Sequence, residues 1–400
     1  MEHLVFISQR IPYPPNKGDK IRSWNALIRL AERYRVHVGS FVDDPEDWGH
    51  ADKIGEISAS YRLLPLRRTA KLWSLRGLAT GEALSLPYFR DRRLVRWVES
   101  TRERYAPRAA FTFSSGVAGY VMGPRWAGVR RVHDMADVDS DKWLQYAKKK
   151  SGVARMIYSR EGRKLLAFER RVAAEYDATL FVSEDEAAMF RRLAPESAGR
   201  IHALHNGVDA DYFDPAVGHD DPFPAEITPI VMTGTMDYWP NVDAAQWFAD
   251  EALDEVRRII PNAAFYVVGA NPTRTLRALG ERPHVTVTGR VPDVRPYLAH
   301  ARFVVAPLRI ARGVQNKVLE GMAMARPVLA SAMALEGIRA EIGSEVLLAD
   351  SAADFARHAA SVDEATGAAI GGRARARVLA SYSWNATFGC LIDFFDGKTT

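Results

Sequence analysis

Lys317 and Glu320 stand three residues apart inside Val305 to Leu329, a stretch that reads as a buried strand, a short basic loop with Gly313, a helix and a second strand opened by Pro327. Residues three apart share one helix face, so this helix, expected over about Gln315 to Met324, presents a cation and a carboxylate together. A nucleoside diphosphate has a use for both: the ammonium meets phosphate oxygens and the carboxylate accepts from ribose hydroxyls. The helix follows the strand Phe303 to Pro307, so its first turn falls at the carboxyl end of a parallel strand, where open α/β sheets bind ligands. Unpaired backbone N–H groups and the positive end of the helix dipole favour a phosphate there. An ordinary surface ion pair has the same spacing, and spacing alone does not separate the two.

Other stretches carry groups suited to chemistry. Gly18 lies in a loop with Pro12, Pro14 and Pro15 after the first expected strand, and Gly234-Thr235-Met236 follows the strand Ile230 to Thr233. A residue without Cβ lets the main chain approach a ligand closely, although Pro and Gly also mark a plain turn. His133-Asp134-Met135-Ala136-Asp137 follows the strand Val129 to Val132, which sets a histidine and two carboxylates just past a strand's carboxyl end. A hydrogen-bonded turn histidine is the simpler reading of His133 taken alone.

These groups need a framework, and the alternation of strand and helix patterns along the chain points to α/β with doubly wound parallel sheets. Four hundred residues, 47% of them hydrophobic, are enough for two such domains with separate cores. The expected organisation is a first Rossmann-like domain over 1–210, a polar, Pro-rich linker over 211–229, a second Rossmann-like domain over 230–375, and C-terminal helices over 376–400. A single cysteine, Cys390, permits no internal disulfide. Met1 to Gln9 reads as a strand rather than a cleavable signal, and no apolar run reaches the length of a membrane span. A cytoplasmic protein is expected. The formal charge of +5 is unevenly placed, with twelve lysines and arginines facing four carboxylates between Arg62 and Arg108. That excess suggests an anionic surface nearby. The expected helix Pro87 to Tyr105, with Leu94, Val95, Trp97 and Val98 on one side and arginines on the other, could lie on an anionic membrane; a solvated basic face over core residues fits the same pattern. Lys148-Lys149-Lys150 reads most simply as a solvated turn.

The stretch around Lys317, together with Asn206-Gly207-Val208-Asp209 and Gly234-Thr235-Met236, resembles glycosyltransferase family 4, nucleotide-sugar-dependent enzymes of the GT-B fold. Within that family the chain is similar to the sugar transferases of bacterial exopolysaccharide and exosortase (PEP-CTERM) gene clusters. That similarity rests on Arg10 to Lys20, Asp137 to Trp143, and Pro240-Asn241. The resemblance covers nearly the whole chain, and Tyr382-Ser383-Trp384 resembles the family's ending. It implies two Rossmann-like domains facing a cleft, with the last helix crossing back to the N-terminal domain. It also implies that Gly18 faces the donor phosphates, that His133 approaches the donor sugar, and that Asp134 and Asp137 steer the acceptor hydroxyl. Main-chain groups at Arg290 and Val291 would hold the base.

Glycosyl transfer passes through an oxocarbenium-like state as a nucleoside diphosphate leaves, so negative charge must be stabilised on the phosphate. Lys317, Arg312, the amides near Gly313 and Val314, and the Gly234 loop with Thr235 are the groups expected to do so, with no metal and no other cofactor. Asp137-Val138-Asp139 is an Asp-x-Asp string of the kind that holds a divalent metal in GT-A enzymes; it is read here as structural or acceptor-facing. Many family members carry two glutamates eight positions apart. Here Glu320 is the second and Arg312 stands at the first, which leaves the sugar contact unassigned. The reaction implied is retaining, with front-face attack by the acceptor. Expected partners are a nucleotide-sugar donor and a saccharide or lipid-linked acceptor, with peripheral contact at the inner membrane face and no nucleic acid. Two other readings stay open: a nucleotide-sugar 2-epimerase of the same fold, and a catalytically degenerate scaffold subunit.

Overall fold

The computed structural model describes residues 1–66, 80–148, 150–311 and 314–398. Arg67, Arg68, Lys71 and Arg76 of the basic span lie outside them. The chain divides into two compact units, Met1–His205 with Phe388–Thr400, and Asn206–Thr387.

The first unit is built on seven strands: β1 (His3–Ser8), β2 (Arg35–Val42), β3 (Ser60–Pro65), β4 (Ala109–Phe113), β5 (Arg130–Ala136), β6 (Ala178–Phe181) and β7 (Ile201–Ala203). They lie in the order β3-β2-β1-β4-β5-β6-β7, every neighbouring pair parallel. A parallel sheet is covered on both faces, so its central strands need apolar side chains at consecutive positions; Leu4, Val5, Phe6 and Ile7 are all fully buried. The order reverses beside β1, which opens a crevice at the carboxyl ends of β1 and β4.

The second unit holds β8 (Thr228–Thr233), β9 (Ala263–Val268), β10 (Val285–Gly289), β11 (Phe303–Ala306), β12 (Val328–Ala330) and β13 (Leu347–Leu348). All are parallel, in the order β10-β9-β8-β11-β12-β13. The reversal falls at β8, so the carboxyl ends of β8 and β11 flank the crevice of this unit. Its core is one continuous cluster that includes Met232, Phe248, Phe265, Phe303 and Phe355.

Three boundaries differ from those expected. Phe213 and Phe223, inside the passage read as a linker, are buried in the second core, and Arg375 ties Asp214 at 3.0 Å. The polar composition of that passage concealed two aromatic anchors. Helix Glu364–Ser381 packs into the second unit through Ile370, Ala374 and Val378, so only the chain from Phe388 belongs with the first. There Phe388, Leu391 and Phe394 are buried, and the Phe394 carbonyl accepts from Arg130 Nε at 2.9 Å. Finally, the basic helix begins at Arg92, and Leu94 and Val98 on its apolar side are buried in the first unit's core with Trp97 packed against them. Leu94, Trp97 and Val98 of Arg92–Tyr105 are thus spent on the core of this unit, as the solvated-face reading expects, while Val95 stays 42% exposed.

Asn206-Gly207-Val208-Asp209 and Tyr382-Ser383-Trp384, distant in sequence, lie against each other. Val208 N–H donates to the Tyr382 carbonyl at 2.7 Å, and a Cβ on Gly207 would stand 2.7 Å from the Trp384 nitrogen. The glycine is there because backbone passes backbone.

Candidate functional site

The loop leaving β8 turns at Gly234 with φ near +153°, a conformation that side chains rarely adopt. The loop leaving β9 does the same at Gly269, φ +156°. A Cβ on Gly269 would fall 1.7 Å from the Gly234 carbonyl oxygen, so the two loops are in main-chain contact. Both glycines are thus required by geometry at the sheet's carboxyl edge.

Helix Asn316–Ala323 starts at the end of the segment leaving β11, preceded by Gln315 in extended conformation with no side-chain cap. Its first turn carries Lys317, which is only 8% exposed although it is a lysine. The ammonium sits against Gly234, 3.4 Å from where a Cβ would be, and donates a short hydrogen bond to Asn241 Oδ1. Asn241, in the first turn of helix Trp239–Trp247, donates in turn to the Thr235 carbonyl at 2.9 Å and so fastens the glycine loop. Glu320, one turn after Lys317, accepts from Thr233 Oγ1 at 3.5 Å. Among the described residues Lys317 forms no ion pair, so the simple surface pair anticipated for this spacing is not made.

The charges are correspondingly uneasy. Burial lowers the Lys317 pKa to about 8, with the Glu320 charge pulling the other way. Burial raises the Glu320 pKa, opposed by Lys317 and by the Thr233 hydrogen bond. An anion arriving at this place would give the ammonium the counter-charge it lacks. Thr233, Gly234, Asn241, Lys317 and Glu320 therefore form one cationic, main-chain-lined seat at the switch point of the second sheet.

Of the other residues singled out from sequence, Thr235 is exposed within the same loop. Arg290 is exposed and Val291 half-buried just past β10, two strands from β8. Val314 is half-buried near Gly337; Arg312 and Gly313 lie outside the described residues. Gly18 is the exposed first residue of helix Gly18–Ala31 after β1, with nothing within 4 Å of a Cβ placed on it.

His133 and Asp134 do not stand past a strand. β5 runs on to Ala136, so both are strand residues between β4 and β6, each with 0% exposure. His133 Nδ1 lies 2.7 Å from Thr112 Oγ1, which donates to the Tyr176 hydroxyl at 3.2 Å, which donates to the Ala118 carbonyl at 2.7 Å. That direction puts a proton on Nδ1, and burial, which holds the pKa down at about 3, keeps the imidazole neutral. Asp134 accepts from Arg22 Nε at 2.8 Å in a pair with both side chains buried; burial raises its pKa and Arg22 opposes the rise. With no exposed atom, these two residues hold the first unit together and have no surface to offer a substrate. Asp137 is accessible, and Lys142 Nζ bridges it and Asp139 at 2.8 and 3.3 Å. A protein cation thus occupies the Asp-x-Asp string.

Asn241 and Gly269 were not among the residues expected at the site. Asn241 carries a signal, a buried polar residue beside Pro240 at the start of an apolar helix. The closeness of Gly269 to Gly234 links residues 35 apart and has no local sequence signature.

Residues 228–362 match the family model described as Glycosyl transferases group 1. None of the curated proteins matches the sequence. Among solved structures, HepE (Alr3699) of Anabaena in complex with UDP superposes with a TM-score of 0.64 at 14% identity, covering all of both chains. Sucrose-phosphate synthase of Thermosynechococcus elongatus gives 0.64 at 18% identity, over 99% of this chain and 98% of that one. A glycosyltransferase of Rickettsia africae gives 0.63 at 12% identity, over 99% and 98%. The chain has the GT-B fold, with a glycosyl transferase group 1 domain in its second unit, and by that domain it is a transferase.

Proposed function

We propose that this transferase is a retaining, metal-independent glycosyltransferase of family 4 that moves a sugar from a nucleotide-diphosphate donor to a saccharide or lipid-linked acceptor. The setting proposed is bacterial exopolysaccharide or surface-glycan synthesis, as in the transferases of exosortase clusters. The observation that carries the donor half is the buried Lys317 ammonium, which has no ion pair among the described residues and stands against bare backbone at Gly234 with Glu320 one helical turn away. HepE, of the same fold, was solved with UDP and with UDP-glucose, and uridine diphosphate is the first donor nucleotide to try.

In this mechanism the diphosphate sits over the first turn of Asn316–Ala323. Lys317 and the helix N–H groups meet the charge that grows on the leaving phosphate, and they are already aimed before the reaction starts. Glu320 accepts from the ribose hydroxyls. The acceptor attacks from the face the phosphate leaves, and the departing phosphate takes the acceptor's proton. Asp137 has an accessible carboxylate to orient the acceptor, whereas His133 and Asp134 act by shaping β5.

The test is calorimetric titration of UDP and GDP into the wild type and Glu320→Ala, with and without EDTA. Binding of one nucleotide that ignores EDTA and weakens in the variant supports the reading and selects the donors for turnover assays. Binding that disappears with EDTA, or an unaffected variant, removes it.

A further inference from the structure

The first unit presents an apolar patch that its core does not use. Helix Asp139–Lys148 and helix Gly152–Glu175 form a hairpin, and at its tip Tyr146, Val153, Met156 and Ile157 are 52%, 68%, 65% and 45% exposed. Val153, Met156 and Ile157 are spaced i, i+3, i+4, so they share one face of the long helix. The same face continues through Lys164 and Arg171, seven residues apart, both exposed and neither in an ion pair among the described residues. Rising about 1.5 Å per residue, Lys164 stands roughly 12 Å along the helix from Met156.

The charge around the tip has one sign. From Leu144 to Lys164 the sequence contains seven lysines and arginines and a single acid, Glu161. Glu161 does not offset them at the surface: it is 3% exposed, and its carboxylate accepts from the Leu84 and Ser85 N–H groups and the Ser85 hydroxyl at 2.6 to 2.9 Å. Lys148, Lys150, Arg155 and Arg163 are all exposed. No helix among the described residues is long and apolar enough to cross a membrane. Apolar side chains at a helix tip, with cations beside and behind them, suit a surface that is hydrocarbon beneath and anionic above.

We infer that the tip of this hairpin is a docking surface for an anionic lipid bilayer, with Val153, Met156 and Ile157 entering the acyl boundary and Lys148, Arg155, Arg163 and Lys164 meeting the phosphates of the headgroups. The basic turn at Lys148 and Lys150 is then part of the contact rather than merely solvated. The inference rests on the proposed function only in giving the contact a purpose, since a lipid-linked acceptor is held at such a surface.

Flotation with vesicles tests it, comparing phosphatidylcholine alone with phosphatidylcholine mixed with phosphatidylglycerol. The wild type is expected to float with the mixed vesicles, and high salt is expected to weaken it. Arg163→Glu with Lys164→Glu should lower partitioning about thirty-fold or more, from roughly five-fold for each cation near an anionic surface. Met156→Ser with Ile157→Ser should lower it about tenfold or more through lost acyl contact. All four positions are exposed, so the variants keep wild-type melting curves and circular dichroism. Equal flotation with neutral vesicles, no flotation by the wild type, or variants that float like it would overturn the inference. So would a dimer that the serine variant dissociates without any vesicle binding, which would assign the patch to a second copy of the chain. Titrating UDP and GDP into the same samples separates the two claims. Nucleotide binding without flotation refutes the docking surface alone; flotation without nucleotide binding refutes the proposed function alone.

Discussion

Lys317→Met separates a ligand-binding lysine from a structural one, because the two roles give opposite signs in stability. The wild-type ammonium is 8% exposed, and its pKa of about 8 against an ordinary 10.5 corresponds to about 3 kcal/mol by which burial disfavours the charged form. Methionine has nearly the same length and no charge. Its introduction removes that penalty, while leaving Asn241 Oδ1 without its donor costs about 1 kcal/mol, and Glu320 loses the opposing charge that moderates its own raised pKa. The variant should therefore melt at the wild-type temperature or a few degrees above it. Nucleotide affinity should fall about 10- to 100-fold, the size of a lost charge-assisted phosphate contact. The pH dependence checks the cause. Below pH 8 lysine is protonated in both folded and unfolded chains and the penalty is complete. Between about 8 and 10.5 the unfolded chain holds a proton that the folded chain has released, so wild-type stability rises with pH and the variant's advantage shrinks. Calorimetric melting at pH 7 and pH 10, beside UDP and GDP titrations, reads all three. A variant that melts several degrees lower while still binding nucleotide would show Lys317 to be a structural ion and would refute the seat described around it.

Gly269→Ala should damage the same seat from below, since its Cβ would meet the Gly234 carbonyl oxygen at 1.7 Å where real contacts stay above 3.0 Å. The glycine loop must shift by more than about 1 Å, costing about 1–3 kcal/mol of stability and at least tenfold in nucleotide affinity, whereas Gly49→Ala, with open space around it, should do neither; equal titrations for the two would exclude the contact. His133, held neutral with a pKa of about 3, should make the first unit acid-sensitive. Between pH 6.5 and 3 the unfolded histidine binds a proton that the folded one refuses, so stability falls as pH is lowered through that window. His37, lowered to about 4 by burial and by His3, adds to the same trend. Urea midpoints at pH 7 and pH 4.5 should move less for His133→Phe than for the wild type; an identical shift would mean that His133 is not the group being protonated.

What could be read from residue order was the part built from local pattern. The strand, loop and helix around Lys317 follow from apolar runs and glycine positions, and the structure finds helix Asn316–Ala323 within a residue of the expected range. Reading failed where partners come from afar. His133 and Asp134 look like the polar end of a strand because polar residues usually end one. Inside, His133 Nδ1 meets Thr112, 21 residues away, and Asp134 pairs with Arg22, 112 residues away. Periodicity carries no record of such partners. The basic helix left two readings open for the opposite reason: its apolar side is legible, but only the sheet beneath Leu94 and Val98 decides how much of that side is covered. Val153, Met156 and Ile157 were missed because three apolar residues in a helix are ordinarily core, and only their exposure distinguishes them.

The main-chain contact of Gly207 with Trp384 gives the chain the topology of a guest inside a host. The second unit is continuous, from Asn206 to Thr387, and its two ends are fastened side by side by Val208 and Tyr382. The first unit is interrupted and recovers Phe388, Leu391 and Phe394 only after the guest has been completed. Joining at adjacent ends lets a segment be exchanged without redrawing the sheet that receives it. Exchange of the second unit at its paired ends would thus leave the first unit's sheet, and the surface it presents, unchanged.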